Sequence, residues 1–294
     1  MPPISDRLRT IIVCADDYAL APGISRSIAD LIKHGRVSAT SCMTLSPFWP
    51  MHAVWLRDLS ANADLGLHLT LTDHVPLGLM PLLAPGGHLP SLGRILNLAL
   101  RGQLPEAEIK GEMNRQFDAF QDVFGRPPDF VDSHHHVHQF PLIRRWLLET
   151  LVHRSLMSKM WIRVCAESAI KVLRRRVDVW KTWSIGWFGS GLRRLLLKTG
   201  VSHNRGFTGI YDFSLNRPYE SLLERFLIGA QEGTLLMCHP GTVDAELRSL
   251  DTLVEQREEE FRVLAGDKYF SLLNRQGLKP GRFSEILPSG EGSR

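Results

Sequence analysis

Short apolar runs that stop on polar side chains alternate with helical periods about seven times along this chain, and no other feature restricts the fold as strongly. The runs fall at 11–15, 37–45, 64–72, the lead-in to 130–138, 160–164, 206–212 and 233–238, with 283–287 as a last candidate. A strand covered on both faces reads as a continuous apolar run, and strands separated by helices pair in parallel. The helical stretches are 21–35, with Ile24, Ile28, Leu31 and Ile32 on one face, then 47–59, 105–124, 141–153, 218–229 and 246–265. The clearest is 105–124, where Pro105 and the acids Glu106 and Glu108 open a face of Ile109, Met113, Phe117, Phe120 and Phe124 that Gly125 ends. At 294 residues the expectation is one α/β domain over 1–288, an irregular (β/α) barrel of about seven mainly parallel strands. Two stretches lack a clean strand-helix rhythm, 73–104 and 166–205, and are expected as insertions; 289–294 is expected as a disordered tail.

In such a barrel the carboxyl ends of the strands gather on one rim, which is where α/β folds place chemistry. Here those ends carry Asp16-Asp17, His68, the run Asp132-Ser-His-His-His-Val-His138, Arg163 and His239. Four imidazoles and a carboxylate within seven residues point to a metal, since unpaired, partly buried histidines lose solvation without return. The alternative is a hydrogen-bonded structural cluster. A single His at a strand end, such as His68, is commonly a core residue; the company of Asp17 and His134 makes it a ligand candidate. Two imidazoles with one carboxylate leave open positions on a divalent ion, and a second carboxylate beside them can take a proton from water. That division of labour describes metal-assisted hydrolysis.

The composition, 44% hydrophobic and 22% charged, is that of a globular protein with a large core. Four cysteines, Cys14, Cys42, Cys165 and Cys238, lie far apart without paired spacing, and read as buried thiols of a reducing compartment. Asp16 and Asp17 interrupt the first apolar run, and no run approaches a spanning helix, so a cytoplasmic protein is expected. The formal net charge is only +4, but Arg and Lys concentrate between 144 and 198, interleaved with Trp180, Trp183, Trp187 and Phe188. Three readings stay open for that segment: two packed helices with basic outer sides, a membrane-contacting patch over 172–198, or a nucleic-acid face. Nucleic acid is not expected as a partner; a homodimer surface is an alternative use.

Four segments carry a resemblance. Ala15-Asp16-Asp17-Tyr18, Gly66-Leu-His68-Leu-Thr-Leu-Thr72, Asp132-Ser-His134-His-His-Val-His138 and Cys238-His239-Pro-Gly241 are similar, in order, to the signature segments of the YdjC-like carbohydrate deacetylases. Any one is weak; four in register over 10–245 are specific. The resemblance implies a distorted barrel like that of polysaccharide deacetylases and one divalent metal ion, zinc or magnesium first, with manganese, nickel or iron as alternatives. It implies hydrolysis of an N-acetyl group on an amino sugar. By position it implies Asp17, His68 and His134 as metal ligands and Asp16 as the base that activates water. His239 would protonate the departing amine, and Arg163 would hold Asp16. Tyr18, His136 and His138 are expected near the substrate. His138 stands four residues after His134, which on a helix would pair them and displace His68. Two positions depart from the pattern, Tyr18 for the usual Phe and Ala19 for the common Gly. The segment 180–198 with Asn204-Arg205-Gly206-Phe207 resembles the branch associated with hopanoid biosynthesis, implying an N-acetylglucosaminyl lipid as substrate, with soluble chitooligosaccharides as the alternative. A metal-dependent phosphoesterase is the rival in another class, and it would require more carboxylate ligands than this chain offers. An iron oxygenase would need an antiparallel sandwich, and a binding module would not need Asp16, Asp17 and His239 together.

Overall fold

The computed structural model describes residues 8–286. Seven parallel strands form its centre: β1 (Arg9–Tyr18), β2 (Ala39–Cys42), β3 (Asp64–Leu69), β4 (Phe130–Ser133), β5 (Trp161–Ile162), β6 (Gly206–Thr208) and β7 (Thr234–Cys238). Their spatial order is β5-β4-β3-β2-β1-β7-β6. An eighth, β8 (Leu278–Pro280), runs along the first half of β1 on the edge that β2 takes further up; Ile11 O accepts from Gly281 N–H, and Val13 O from Ser38 N–H. Around them lie α1 (Pro22–Lys33), α2 (Trp49–His52), α3 (Val54–Arg57), α4 (Leu92–Leu100), α5 (Glu106–Phe124), α6 (Pro141–His153), α7 (Ala169–Arg175), α8 (Val179–Thr199), α9 (Tyr219–Leu227), α10 (Ala245–Leu250), α11 (Glu255–Ala265) and α12 (Lys268–Arg275).

The sheet curls until its two ends nearly meet, the irregular (β/α) barrel the sequence implies. Between them Ile162 N–H donates to Ser202 O at 2.9 Å. Beyond it the fully buried Asn204 side chain joins the two edges: it accepts from Val164 N–H through Oδ1 (2.7 Å), while its Nδ2 donates to Val164 O (2.9 Å) and Gly206 O (2.8 Å). The pleat divides the core. Ile12 and Cys14 of β1 point into the barrel with Phe130, Trp161, Phe207, Leu235 and Met237, whereas Ile11, Val13 and Ala15 face the surrounding helices. Gly66 is required there, because a Cβ on it would stand 2.3 Å from the Phe130 ring.

Several expectations shift. The stretch 73–104 contains α4, whose Ile95 and Ala99 are buried; a helix of nine residues between Pro- and Gly-rich turns is too short to show a period. Its coils are tied down by α5, where Glu112 accepts from Leu77 and Gly78 N–H and Glu108 from Leu82 and Leu83 N–H. The single helix expected at 246–265 is broken into α10 and α11 around an extended Asp251. The helix at 47–59 is two separate turns, and β5 is only two residues long. The closing strand is β8 rather than 283–287, because Phe283 sits in a 3-10 turn and stacks on Trp161 across the barrel floor, ring centres 5.0 Å apart. The tail at 289–294 lies outside the described residues. Among the described residues no helix is long and apolar enough to cross a membrane.

Candidate functional site

The site begins with a break in the pleat. Successive residues of a strand point to opposite faces, so Asp16, two after the inward Cys14, enters the barrel mouth and Asp17 should point away. Instead the register between β1 and β2 shifts between Ala15 and Tyr18, and Asp17 adopts a left-handed backbone, φ 64°. Both carboxylates thereby reach the same rim. Ala19 is left-handed as well, φ 74°, a conformation glycine takes without strain and other residues hold at a cost of about 1 kcal/mol or more. Donation from Leu20 N–H to Asp17 O and from Ser46 Oγ to Ala19 O holds the turn.

Three donor atoms then converge. Asp17 Oδ1 lies 3.2 Å from His68 Nε2 and 3.4 Å from His134 Nδ1, and all three atoms fall within 4.8 Å of one another. Asp17 Oδ1 is buried and has no hydrogen-bond partner; the two ring nitrogens approach it outside hydrogen-bond geometry. A buried carboxylate oxygen left unsatisfied between two imidazoles fits a cation. The orientation of His68 supports the same role. Its Nδ1 lies 2.8 Å from Asp132 Oδ1 and 2.8 Å from Ser41 Oγ, and the Ser41 hydroxyl donates to Asp132. A proton on Nδ1 given to Asp132 leaves the Nε2 lone pair aimed at the cluster. His134 leaves the end of β4 into a tight turn in which His135 and His136 are both left-handed. Burial pushes the Asp17 carboxyl up, but Arg257 Nη2, 2.6 Å from Oδ2, and the two imidazoles hold it well below the usual range. Burial likewise pushes His68 down, yet Asp132 and Asp17 override it and raise the ring to about 10.

Asp16 sits beside this cluster. Arg163 grips it with two bonds, Nη1 to Oδ2 at 2.6 Å and Nη2 to Oδ1 at 2.5 Å, and Nη2 also lies 2.6 Å from Asp132 Oδ2. Cys14 joins Asp16 and Asp132 in a second close group of ligand-type atoms, but the guanidinium already supplies its cation, and burial pushes the Cys14 thiol up, so it stays protonated. His239 Nε2 is 3.9 Å from Asp16 Oδ2. The His239 backbone N–H donates to Glu260 Oε2 at 2.6 Å, and Tyr211 OH donates to Glu260 Oε1 at 2.7 Å. Burial lowers the His239 ring to about 4 against the opposing pull of Asp17 and Asp16. The resting ring is therefore neutral near pH 7.

Other candidates are placed differently. Tyr18 turns away from the site, fully buried, its OH donating to His52 O at 2.7 Å; a strand position on the helix-facing side cannot reach substrate. His138 is not a ligand alternative: the left-handed residues between it and His134 destroy any shared helix face, and its nitrogens are taken by Ser133 Oγ (2.7 Å) and Arg163 O (2.9 Å). His136 does line the cavity, as do His74 and His135. Three contributors carried no usable signal in the sequence. Arg257 lies on α11, far along the chain from Asp17; Ser41 is one hydroxyl among several in β2; Glu260 looks like any acid of a charged helix. Asp132 stood in the histidine run, but its tie to His68 needed the β3–β4 register, His68 against Asp132.

Above these groups opens a cavity of about 690 Å³. Its floor is polar, with Asp16, Asp17, His68, His134 and His239, whereas its walls are largely apolar: Leu92 and Leu96 of α4, Ile185 and Phe188 of α8, Phe213, and Leu250 and Leu253 around the α10–α11 turn.

A family model described as YdjC-like protein matches residues 10–275. Chitooligosaccharide deacetylases of Enterobacter sp. (strain 638) and Serratia marcescens are 27% and 29% identical to the chain over 278 and 282 residues, in each case covering 95% of this chain and 99% of the relative. A chitooligosaccharide deacetylase of Proteus mirabilis is 40% identical over 134 residues, 45% of this chain and 51% of that one. Among solved structures, a protein of Enterococcus faecalis V583 named for cellobiose-phosphate cleavage superposes with a TM-score of 0.71 at 20% identity, covering 96% of this chain and 100% of that chain. A peptidoglycan N-acetylglucosamine deacetylase gives 0.51 at 10% identity, over 95% of this chain and 87% of its own. At such identities the structural likenesses speak for the fold.

Proposed function

Because this chain belongs to the YdjC-like family, we infer that it is a carbohydrate N-deacetylase that hydrolyses the acetamide of an N-acetylglucosamine-containing substrate. The observation that carries this reading is the unsatisfied Asp17 Oδ1 facing His68 and His134, with a second, separately held carboxylate, Asp16, beside it. Asp17, His68 and His134 would hold one divalent ion. Two imidazoles with one carboxylate suit zinc, nickel or iron better than magnesium, which prefers an all-oxygen shell. When bound, the ion supplies Lewis acidity at the acetamide carbonyl and makes nearby water easier to deprotonate.

The chain's own groups do the rest. Asp16, its two oxygens aimed by the paired Arg163 bonds, takes the proton of the attacking water. His239, neutral at rest and 3.9 Å from Asp16 Oδ2, accepts that proton and passes it to the amide nitrogen as the C–N bond breaks, releasing acetate and the free amine. A neutral ring close to the base suits this relay better than a ring already charged.

The apolar walls favour an amphiphile, an N-acetylglucosaminyl lipid of hopanoid biosynthesis met at the inner membrane face, with the sugar on the floor and the lipid against α4 and α8. The relatives' names favour soluble chitooligosaccharides. The test offers purified protein both substrates and measures acetate. The lipid assignment expects faster release from the glycolipid; release from N-acetylated chitobiose alone would defeat it. In the same assay Asp16→Asn should keep its bound metal while turnover falls on the order of 10²–10⁴-fold, and His134→Ala should lose both. Full activity in Asp16→Asn would remove the proposed base.

A further inference from the structure

Helix α8 has two opposite faces with different fates. Gly189, Leu192 and Leu196 are buried against the barrel and Ile185 and Phe188 line the cavity, whereas at 3.6 residues per turn Trp180, Trp183, Trp187, Arg194 and Lys198 fall within about 60° of one another on the far side. These tryptophans are exposed, 79%, 38% and 67% of their surface. The preceding helix α7, which packs on α8, exposes Ile170 and Leu173 beside Arg174 and Arg176. Between 168 and 205 the chain carries nine Lys and Arg against one acid, Asp178, although its formal net charge is only +4. Among the described residues the segment's ion pairs are those of Lys171 and Arg175 with Glu167, and Arg174, Arg176, Arg194 and Lys198 stand exposed.

Large exposed apolar side chains grouped on one face mark a contact surface. We propose that the outer face of α7 and α8 docks the protein peripherally on an anionic phospholipid bilayer. Trp suits the level of the lipid headgroups, aliphatic side chains such as Ile170 and Leu173 suit the acyl boundary, and the surrounding cations suit phosphodiester anions. A nucleic acid would use the cations and the indoles but has no use for the exposed aliphatics. A second copy of the same face would set cations against cations. Docking in this way also places the cavity wall beside the membrane, since Trp187 meets Phe188 edge-on (4.9 Å) and Phe188 meets Phe140 (4.8 Å) on the cavity side.

The proposal does not need a lipid-linked substrate, and its test separates the two. The protein is sedimented with phosphatidylglycerol/phosphatidylcholine vesicles and with phosphatidylcholine vesicles, at low and high salt. Binding to the anionic vesicles, weakened by salt, is expected. The Trp180→Ser/Trp187→Ser protein should partition about tenfold less, and the variant with Arg174, Arg176, Arg194 and Lys198 all changed to Gln on the order of a hundredfold less. None of the six residues lines the cavity, so both variants should keep wild-type turnover on N-acetylated chitobiose, which also shows that they fold. Equal binding to both vesicle types, no binding, or variants that bind like wild type would overturn the proposal. So would retention of a single-stranded oligonucleotide in place of vesicles, or a dimer that the variants convert to monomers.

Discussion

Asp17 meets three side chains through two oxygens: His68 and His134 face one, and Arg257, which in turn reaches Asp251 at 2.6 Å, holds the other. With Oδ2 taken, only Oδ1 is offered to a cation, so Arg257 sets how the ligand binds without touching the metal itself. Arg257→Met should weaken divalent-metal affinity about 10–100-fold, measured by calorimetry with the fold checked by circular dichroism; unchanged affinity would make the pairing incidental. His68 supplies a pH test. Its ring is raised to about 10 when no cation competes, and a ligand must be neutral, so binding has to expel a proton. Metal affinity should therefore rise with pH from neutrality toward 10, and calorimetry in buffers of different ionisation enthalpy should register proton release. The Asp pair, the His68 position and the histidine run were visible in the sequence because each ends an apolar run. Arg257 was not, because nothing local distinguishes an arginine that leaves its own helix face for a carboxylate on β1.

At the scale of elements, the Asn204 amide carries the barrel seam past the backbone bond from Ile162 N–H to Ser202 O. Asn204 completes Val164 N–H and C=O where β5 has run out after two residues, and its replacement leaves a buried donor and acceptor without partners. Asn204→Leu should cost about 2–4 kcal/mol of unfolding free energy, read from urea denaturation followed by circular dichroism; a loss under half a unit of that scale would mean the backbone closes the seam unaided. The long helix α5 was legible from its period and caps, and appears as read, from Glu106 to Phe124. The break between α10 and α11 was not legible, because no Gly or Pro marks it between Leu250 and Glu255. The chain turns there because Asp244 caps α10, accepting from Leu247 N–H, and because buried Arg257 draws Asp251 into an extended conformation.

For the whole molecule, folding and the site titrate together. His138 and His239 are each lowered by burial to about 4, from an ordinary value near 6.5. As pH falls below 6.5 the unfolded chain binds these protons first, so stability is lost progressively between pH 6.5 and 4. A urea midpoint that falls over that interval checks this, and His138→Asn should flatten the slope. Metal acts in the opposite sense. An ion that binds only the folded state stabilises by about 2.7 kcal/mol at a hundredfold excess over its dissociation constant, so chelation should lower the thermal midpoint, and His134→Ala should make the midpoint insensitive to chelator.

The sequence by itself determined the alternation of strand and helix, the parallel barrel that follows from it, and the rim on which acids and imidazoles would meet, because buried strands and amphipathic helices write their periods locally. Only the tertiary structure decided which members of that rim act together. A bulge turned Asp17 back beside Asp16, two left-handed residues separated His134 from His138, and the β3–β4 register set Asp132 behind His68. Those outcomes depend on backbone strain and on contacts between residues distant in the chain, and neither leaves a mark on local periodicity.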